Sequence, residues 1–380
     1  MTPPSTSWTA TYGIDDMAAR FADWDLAAQN SPAPSPYCGR PYGMAILQTY
    51  HQTDNPVLVC ASQRSEIAGL LVLIERPLQR LGQTIHEIGF AFNPNTIVND
   101  PLIDMTHETQ AIEVAKALIE GAFSTGADSL LLDHMPADTG VINAFQAAAQ
   151  HLGHPLDAPT KARDLYYTAL AGDWAGYLAT RSRNHRWQIK KSMRLAAEDP
   201  SITVRHCTGR AALLAHLQDW FTVEQHSWQG ASVETAMSDA DRRFHRQLIN
   251  DLPDRMLGEL WLVYHADQPV AALRMLADNG QVSVHTMHFD AAFKALAPGA
   301  IAFHRMLQAA CDAGLDEVDM HGKTAFFARY ATGQRAHQSL RIYRKGLRGA
   351  VLQKMRRAAL AVQAITSGSA SGDTAADNSP

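Results

Sequence analysis

The sequence predicts an α/β protein, in the α+β sense of mixed sheets with flanking helices, built from two units that repeat one order of elements. Three observations carry this. Residues 260–264, 270–276 and 281–289 are apolar or alternating runs split by short turns, the pattern of a three-stranded meander. Residues 299–313 have helical spacing and lead into a short apolar run at 315–320. The same succession occurs upstream in 57–133, with longer loops. A chain of 380 residues, at about 150 per domain, has the length for two or three such units.

In chain order, residues 1–30 read as an N-terminal extension and 31–170 as the first unit. Its strands fall at 57–60, 67–74 and 84–92, its helix at 109–125 and its last strand at 129–133. Residues 171–198 join the units, with one long helix over 174–197, and a second, amphipathic helix follows at 211–228. The second unit spans 199–365. Its first turn is Ala266-Asp267-Gln268-Pro269; its second, Asp278-Asn279-Gly280, supplies the positive φ of a tight hairpin. The next helix starts after Pro298 and ends at Gly314, with Ile301, His304, Met306, Leu307 and Ala310 on one face. A brief helix at 324–330, a strand at 339–343 and a basic helix at 350–365 complete it, and the Ser/Gly/Ala/Asp-rich tail 366–380 reads as disordered. The repeat extends to texture: Gly126-Ala127-Asp128-Ser129-Leu130 opens the last strand of the first unit as Gly314-Leu315-Asp316-Glu317-Val318 does in the second.

Composition narrows the class. With 46% hydrophobic and 19% charged residues the chain is globular, not fibrous or wholly disordered. No apolar run reaches the ~20 residues of a membrane span, and Asp15, Asp16, Asp23 and Asp25 occupy the place of a basic leader, which makes the expected location cytoplasmic. Cys38, Cys60, Cys207 and Cys311 form no C-x-x-C pair, so reduced, mostly buried thiols are expected and no metal site. The net charge of -5 conceals an asymmetry: residues 1–160 hold 6 Lys+Arg against 17 Asp+Glu, leaving 27 against 21 for the rest. Two acid-free basic stretches stand out, 181–194 and the ten Lys+Arg from His321 to Arg357. Such density suits an anionic partner, a phosphate-bearing donor or a nucleic acid, when it is not simply a solvated face. A Walker loop, a G-x-G-x-x-G fingerprint and a G-x-S-x-G elbow are all absent from the sequence, which removes kinase, dehydrogenase and serine-hydrolase readings.

One set of residues carries a family likeness. Arg181, His185, Arg186, Lys190 and Lys191 in the linking helix, Trp228 after it, and the run Phe289-Asp290, Ala297-Pro298-Gly299, Gly314 and Asp319-Met320-His321-Gly322 together resemble the GNAT acyltransferase superfamily. The form resembled is the tandem one, shared by Fem-type aminoacyl transferases and a bacterial acetyltransferase group associated with cellulose biosynthesis. The likeness spans roughly 30–350. It implies two tandem GNAT-like domains, the second catalytic and the first serving the acceptor or the structure. It further implies an acyl-CoA donor lying between splayed strands, with its phosphates at a helix start formed by Lys294, Gly299, Ala300 and Ile301, where unpaired N–H groups and positive potential favour an anion. The phosphate loop departs from the single-domain pattern: of its spaced glycines only Gly299 is present, and Pro298 has no N–H. That leaves room for another donor, including an aminoacyl-tRNA held by residues 181–194 and 329–357. In the first unit the corresponding slot, 93–107, holds no glycine, so a lost donor site is expected there.

Acyl transfer to an amine requires a proton acceptor. Asp319 and His321 end a strand where open sheets place ligands, Lys323 follows at once, and His285 lies on the neighbouring strand; these four are the catalytic candidates. The structural alternative has Asp319 capping the helix that begins near Thr324. Strict alternation puts Ser283, His285 and Met287 on one face and Val284, Thr286 and His288 on the other, so His285 and His288 should point apart. Trp228, Arg274, His288 and Tyr330 are expected to bind substrate. A peptide or small-molecule amine is the expected acceptor, and a non-catalytic module that uses its basic surfaces to hold RNA or another polyanion is the competing reading.

Overall fold

The computed structural model describes residues 6–31, 35–80, 83–91, 96–170, 172–227, 230, 236–278 and 281–370. Thirteen strands form one mixed sheet: β1 (Thr6–Tyr12), β2 (Val57–Gln63), β3 (Glu66–Arg80), β4 (Gln83–Phe90), β5 (Leu102–Ile103), β6 (Ser129–Pro136), β7 (Thr160–Ala169), β8 (Ile202–Thr208), β9 (Glu259–His265), β10 (Gln268–Asp278), β11 (Gln281–Phe289), β12 (Glu317–Asp319) and β13 (Gly333–Tyr343). The spatial order is β1-β2-β3-β4-β6-β13-β7-β12-β11-β10-β9-β8, with β5 paired to β3.

Both halves build the expected motif. Antiparallel β2-β3-β4 is followed by the helix Glu108–Ser124 and a parallel return to β6; antiparallel β9-β10-β11 is followed by the helix Pro298–Asp312 and a parallel return to β12. Each meander has an edge strand that sequence reading left out: β1 pairs along β2, and β8 along β9. The helices pack alike. Ala111, Val114, Leu118 and Ala122 cover Val59 and Leu71 in one half, while Ile301, Met306, Leu307 and Ala310 cover Val263, Leu273 and Met275 in the other. The hydrophobic effect, at ~25 cal/mol per Å² of buried apolar surface, fixes each helix to its sheet.

What joins the halves is an exchange of strands. β13, from the C-terminal part, lies between β6 and β7, pairing Leu340 with Leu132 and Arg335 with Leu165. β7, from the N-terminal part, pairs in turn with β12, Val318 opposite Thr168. The charge asymmetry is resolved by the same exchange. Arg341 on β13 pairs with the buried Glu87, Arg348 with Asp128 at 2.6 Å, and Arg356 and Arg357 with Asp157 at 3.4 and 3.3 Å. Arg335 holds Glu317 and Asp319 within the second half, and Arg344 donates to the Ala127 and Phe123 carbonyls. Most of the second basic stretch therefore answers the chain's own acids and carbonyls instead of a partner.

The linking segment is two helices, not one. Trp174–Ala179 ends at a break, and Arg183–Glu198 restarts with Ser182 accepting the His185 N–H. Arg181 and Arg186 stitch this break, Arg181 donating to Tyr330 O at 2.9 Å and Arg186 to Arg181 O at 2.8 Å. The predicted helix at 211–228 is likewise split at His216, into Gly209–Ala215 and Leu217–Gln225. Trp228 and the Asn279-Gly280 turn lie outside the described residues.

A third core runs under both halves. The helix Arg40–Tyr50 packs on the helix Asp239–Asp251 through Tyr42 against Phe244, and Tyr50 donates to Asp241 at 2.5 Å. Gly43 has to be glycine here: a Cβ would stand 2.5 Å from the Trp24 ring. Trp24 in turn donates its indole N–H to Cys38 O at 3.2 Å, which fixes the turn that carries Tyr37.

Candidate active site

β11 and β12 pair at only two positions, Val282 with Val318 and Ser283 with Asp319, and then separate. The opening is a cavity of about 950 Å³. Val284, Met287, Phe289 and Phe327 make its apolar wall; Trp187 and Lys191 of the helix Arg183–Glu198 form part of its rim. At its end Lys294, Gly299 and Ala300 mark the start of the helix Pro298–Asp312. Ala297 takes the left-handed conformation at φ 48 to turn the chain into that helix. The N–H groups of Ala300 and Ile301 both donate to Ala297 O, at 2.9 and 3.2 Å, and Pro298 has none. The amide this helix start can offer an anion is thus Gly299, and Ile301, fully buried, does not reach the cavity.

The matching gap in the first half is closed. β4 and β6 pair from Glu87 to Gly89, and among the described residues Asn99 is bound to the β6 backbone beyond that pairing. Asn99 N–H donates to His134 O and its side chain to Asp133 O. A pocket of about 40 Å³ lies beside it, lined by Trp24, Tyr37, Phe90 and Asn99 among others.

Of the predicted catalytic residues, His321 lines the open cleft and His285 borders it, with its ring on the opposite face of β11 against Tyr37 and His245. His321 is held at φ 46 just past β12, its N–H donating to Asp319 Oδ1 at 2.9 Å and its Nε2 lying 3.4 Å from Asp319 Oδ2. Asp319 stands behind His321 and does not cap the next helix, which Thr324 caps instead. Burial raises the Asp319 pKa, but the His321 charge, its hydrogen bonds and Arg335 outweigh this and hold the carboxyl below its ordinary value. Lys323 departs from expectation: its ammonium is bound to Asp164 at 2.9 Å, and the side chain does not line the cleft.

The expected divergence of His285 and His288 does not occur. The register of β10 against β11 shifts between Arg274 and Met275, opposite His285, so strict alternation ends there. Val284 and Met287 consequently both pack into the core of the Pro298 helix. His285 turns to the other side, 5.3 Å ring to ring from His245, and His288 lies close enough to depress the pKa of both. His288 and Arg274 are buried behind the cleft, not on it; Arg274 donates to the Glu259 and Met275 carbonyls. Tyr330 lines the cleft and binds His304 Nε2 at 2.7 Å. Ser192 donates to Ile189 O at 2.9 Å, so its oxygen accepts from His304 Nδ1 at 2.5 Å and the Tyr330 hydroxyl must be the donor to Nε2.

Sequence reading missed Tyr37. Its hydroxyl lies 3.3 Å from His285 Nδ1 and 3.2 Å from His321 Nδ1, although 248 and 284 residues separate the partners. Nothing local to Tyr37 signals this.

Burial leaves several histidines neutral. The pKa of His245 is pushed down to about 3, of His288 to about 4, of His304 to about 3 and of His337 to about 4, burial being the leading cause in each. An unfolded His titrates near 6.5. The unfolded chain therefore binds the extra protons below that pH, and stability that is complete above 6.5 is lost as pH falls toward 4. Each group adds up to about 1.4 kcal/mol per pH unit. Urea midpoints measured from pH 7.5 to 4.5 should fall steeply, and less steeply in His304→Gln; a flat profile would refute this.

The chain matches the family model of the acetyltransferase (GNAT) domain over residues 183–344. The match falls on the second half, and the first half repeats the same order of meander, helix and parallel strand. Among solved structures of this fold, FemX superposes with a TM-score of 0.58 at 12% identity, covering 88% of this chain and 97% of its own. A conserved protein of unknown function from Bacteroides thetaiotaomicron gives 0.53 at 11% identity, over 85% and 97% of the two chains. The C-terminal domain of a lysylphosphatidylglycerol synthetase from Agrobacterium fabrum gives 0.51 at 10%, over 88% and 95%. At these identities the likeness is one of fold. No curated protein sequence matches the chain. Among the described residues no group of three or more His, Cys, Asp or Glu could hold a metal ion, and no helix is long and apolar enough to cross a membrane.

Proposed function

We propose that this tandem GNAT protein is an acyl-group transferase that moves an acyl group from acyl-CoA to an amine acceptor. The observation that carries the reading is the contrast between two equivalent gaps: the one between β11 and β12 is open and ends at a helix start, and the one between β4 and β6 is filled. Lys294 and the Gly299 N–H are suited to the donor's phosphates, the apolar wall to its chain, and His285 and His321 to the reacting end. The first half then serves the acceptor and the frame. A cavity of this size and lining also disfavours a module that binds only through its surface.

A second donor, aminoacyl-tRNA, draws support from one feature. Arg183, Lys190, Lys191 and Arg194 are exposed along the helix that borders the cleft. Against it, Arg181 and Arg186 hold the helix break and the basic residues of β13 and beyond are mostly paired within the chain. Calorimetry with acetyl-CoA, palmitoyl-CoA and a charged tRNA decides between them. Acyl-CoA binding with a shallow salt dependence that Lys190→Ala leaves unchanged is the expected result. Steep tRNA binding, with a log–log salt slope that Lys190→Ala lowers by about one unit or less, would overturn it in favour of tRNA.

A further inference from the structure

We propose that Tyr37, supplied by the first half, joins His285 and His321 into a proton relay, with His285 Nε2 as the base facing the acceptor amine and Asp319 as the group that holds the charge at the far end. The inference rests on the acyl-transfer reading above. The geometry orders the protons. His321 Nε2 lies beside Asp319 Oδ2 at 3.4 Å and carries its hydrogen toward that carboxylate, which leaves His321 Nδ1 as an acceptor. Tyr37 lies 3.2 Å from that nitrogen and donates to it. The Tyr37 oxygen, which also takes a hydrogen bond from the Ser283 side chain, uses its second lone pair to accept from His285 Nδ1–H at 3.3 Å. His285 Nε2 is thereby left with a bare lone pair; it is buried and has no hydrogen-bond partner among the described residues, on a residue that borders the cleft where the register of β11 shifts.

The chain of groups works as follows. An ammonium acceptor gives one proton to His285 Nε2; His285 passes its Nδ1 proton to the Tyr37 oxygen, and Tyr37 passes its hydroxyl proton to His321 Nδ1. His321 becomes imidazolium beside the Asp319 carboxylate, itself held by Arg335 at 3.1 Å. The free amine then bonds the acyl carbon, the carbon–sulfur bond breaks, and the nitrogen's second proton leaves with the sulfur. His285 needs such an exit. It is packed among His245, Arg274, His288 and His321, and burial above all, with the Arg274 charge adding to it, holds it well below the ordinary histidine value, so it does not retain a proton by itself. Burial likewise raises Tyr37, with Asp319 adding to the effect, so the phenol is neutral and conducts by exchange of protons, not by ionising.

The test uses Tyr37→Phe, which removes one hydroxyl and keeps the ring packed on Tyr42. Long-range proton–nitrogen NMR on histidine-labelled full-length protein, assigned with His285→Gln and His321→Gln, reads the tautomers without any need for turnover. The expected result is hydrogen on Nδ1 of His285 and on Nε2 of His321; hydrogen on Nε2 of His285 overturns the relay. With acetyl-CoA and ethanolamine as probes, Tyr37→Phe should lower kcat by about 10² while leaving acetyl-CoA affinity unchanged, within the ~10²–10⁴ that a general base contributes. With hydroxylamine, largely unprotonated at neutral pH, the loss should shrink to a few-fold, an outcome that a merely structural role for Tyr37 would not produce. Equal losses with both amines overturn the proposal. Absence of acetyl-CoA binding in the parent protein would instead count against the donor reading, and the tautomers would still decide the arrangement of protons.

Discussion

Arg341→Ala should lower the unfolding free energy by about 3–5 kcal/mol, the cost of leaving a buried carboxylate without its counter-charge. Glu87 is 3% exposed and, among the described residues, keeps the Ser129 hydroxyl at 3.0 Å once the guanidinium is gone. The position matters beyond the pair, because Arg341 lies on β13, the strand from the C-terminal part that completes the sheet of the first half. Losing it should loosen β13 between β6 and β7 and expose the edge of both. Urea denaturation measures the loss. The double variant Glu87→Gln with Arg341→Met, which removes both charges at similar volume, should recover most of it, since replacing a buried pair by neutral groups is often close to neutral. A loss under about 1 kcal/mol in the single variant would mean that water reaches Glu87 and that the exchange is not clamped here.

Ala300→Trp should abolish donor binding while leaving the fold intact. Ala300 is half-buried at the mouth of the cleft, beside Gly299 and Lys294, and an indole there occupies the path between the helix start and the apolar wall. A ligand at one hundred times its dissociation constant stabilises the folded form by about 2.7 kcal/mol. Palmitoyl-CoA at that level should raise the melting temperature of the parent protein and leave that of the variant unmoved, with the two unliganded proteins melting close together. An undiminished shift in the variant would place the donor elsewhere.

The repeat of meander, helix and parallel strand was legible because it is written in local periods. Alternation in 281–289 gives a strand, and the Pro298-to-Gly314 interval gives a helix with its stop. The cleft was placed by the same means, since Gly299 and His321 sit at the ends of elements whose order is readable and His285 lies on the strand that pairs with β12. Alternation failed at one residue, where the register shift opposite His285 moved that ring to the far side of β11; a bulge is a two-strand property, and a single strand's pattern does not contain it. The break in the linking helix is similar, because Thr180 to Ser182 are compatible with a helix until Arg181 and Arg186 find carbonyls to bind.

By itself the sequence determined the meander, helix and parallel strand of each half and that the two halves share one order. Tertiary structure alone decided that β7 and β13 change places between the halves, that the basic stretch after His321 is answered mainly by acids and carbonyls of the same chain, and that Tyr37 stands between His285 and His321. The reason is that periodicity reports which face of an element is buried, not what buries it. A partner 284 residues away leaves no mark on the local pattern.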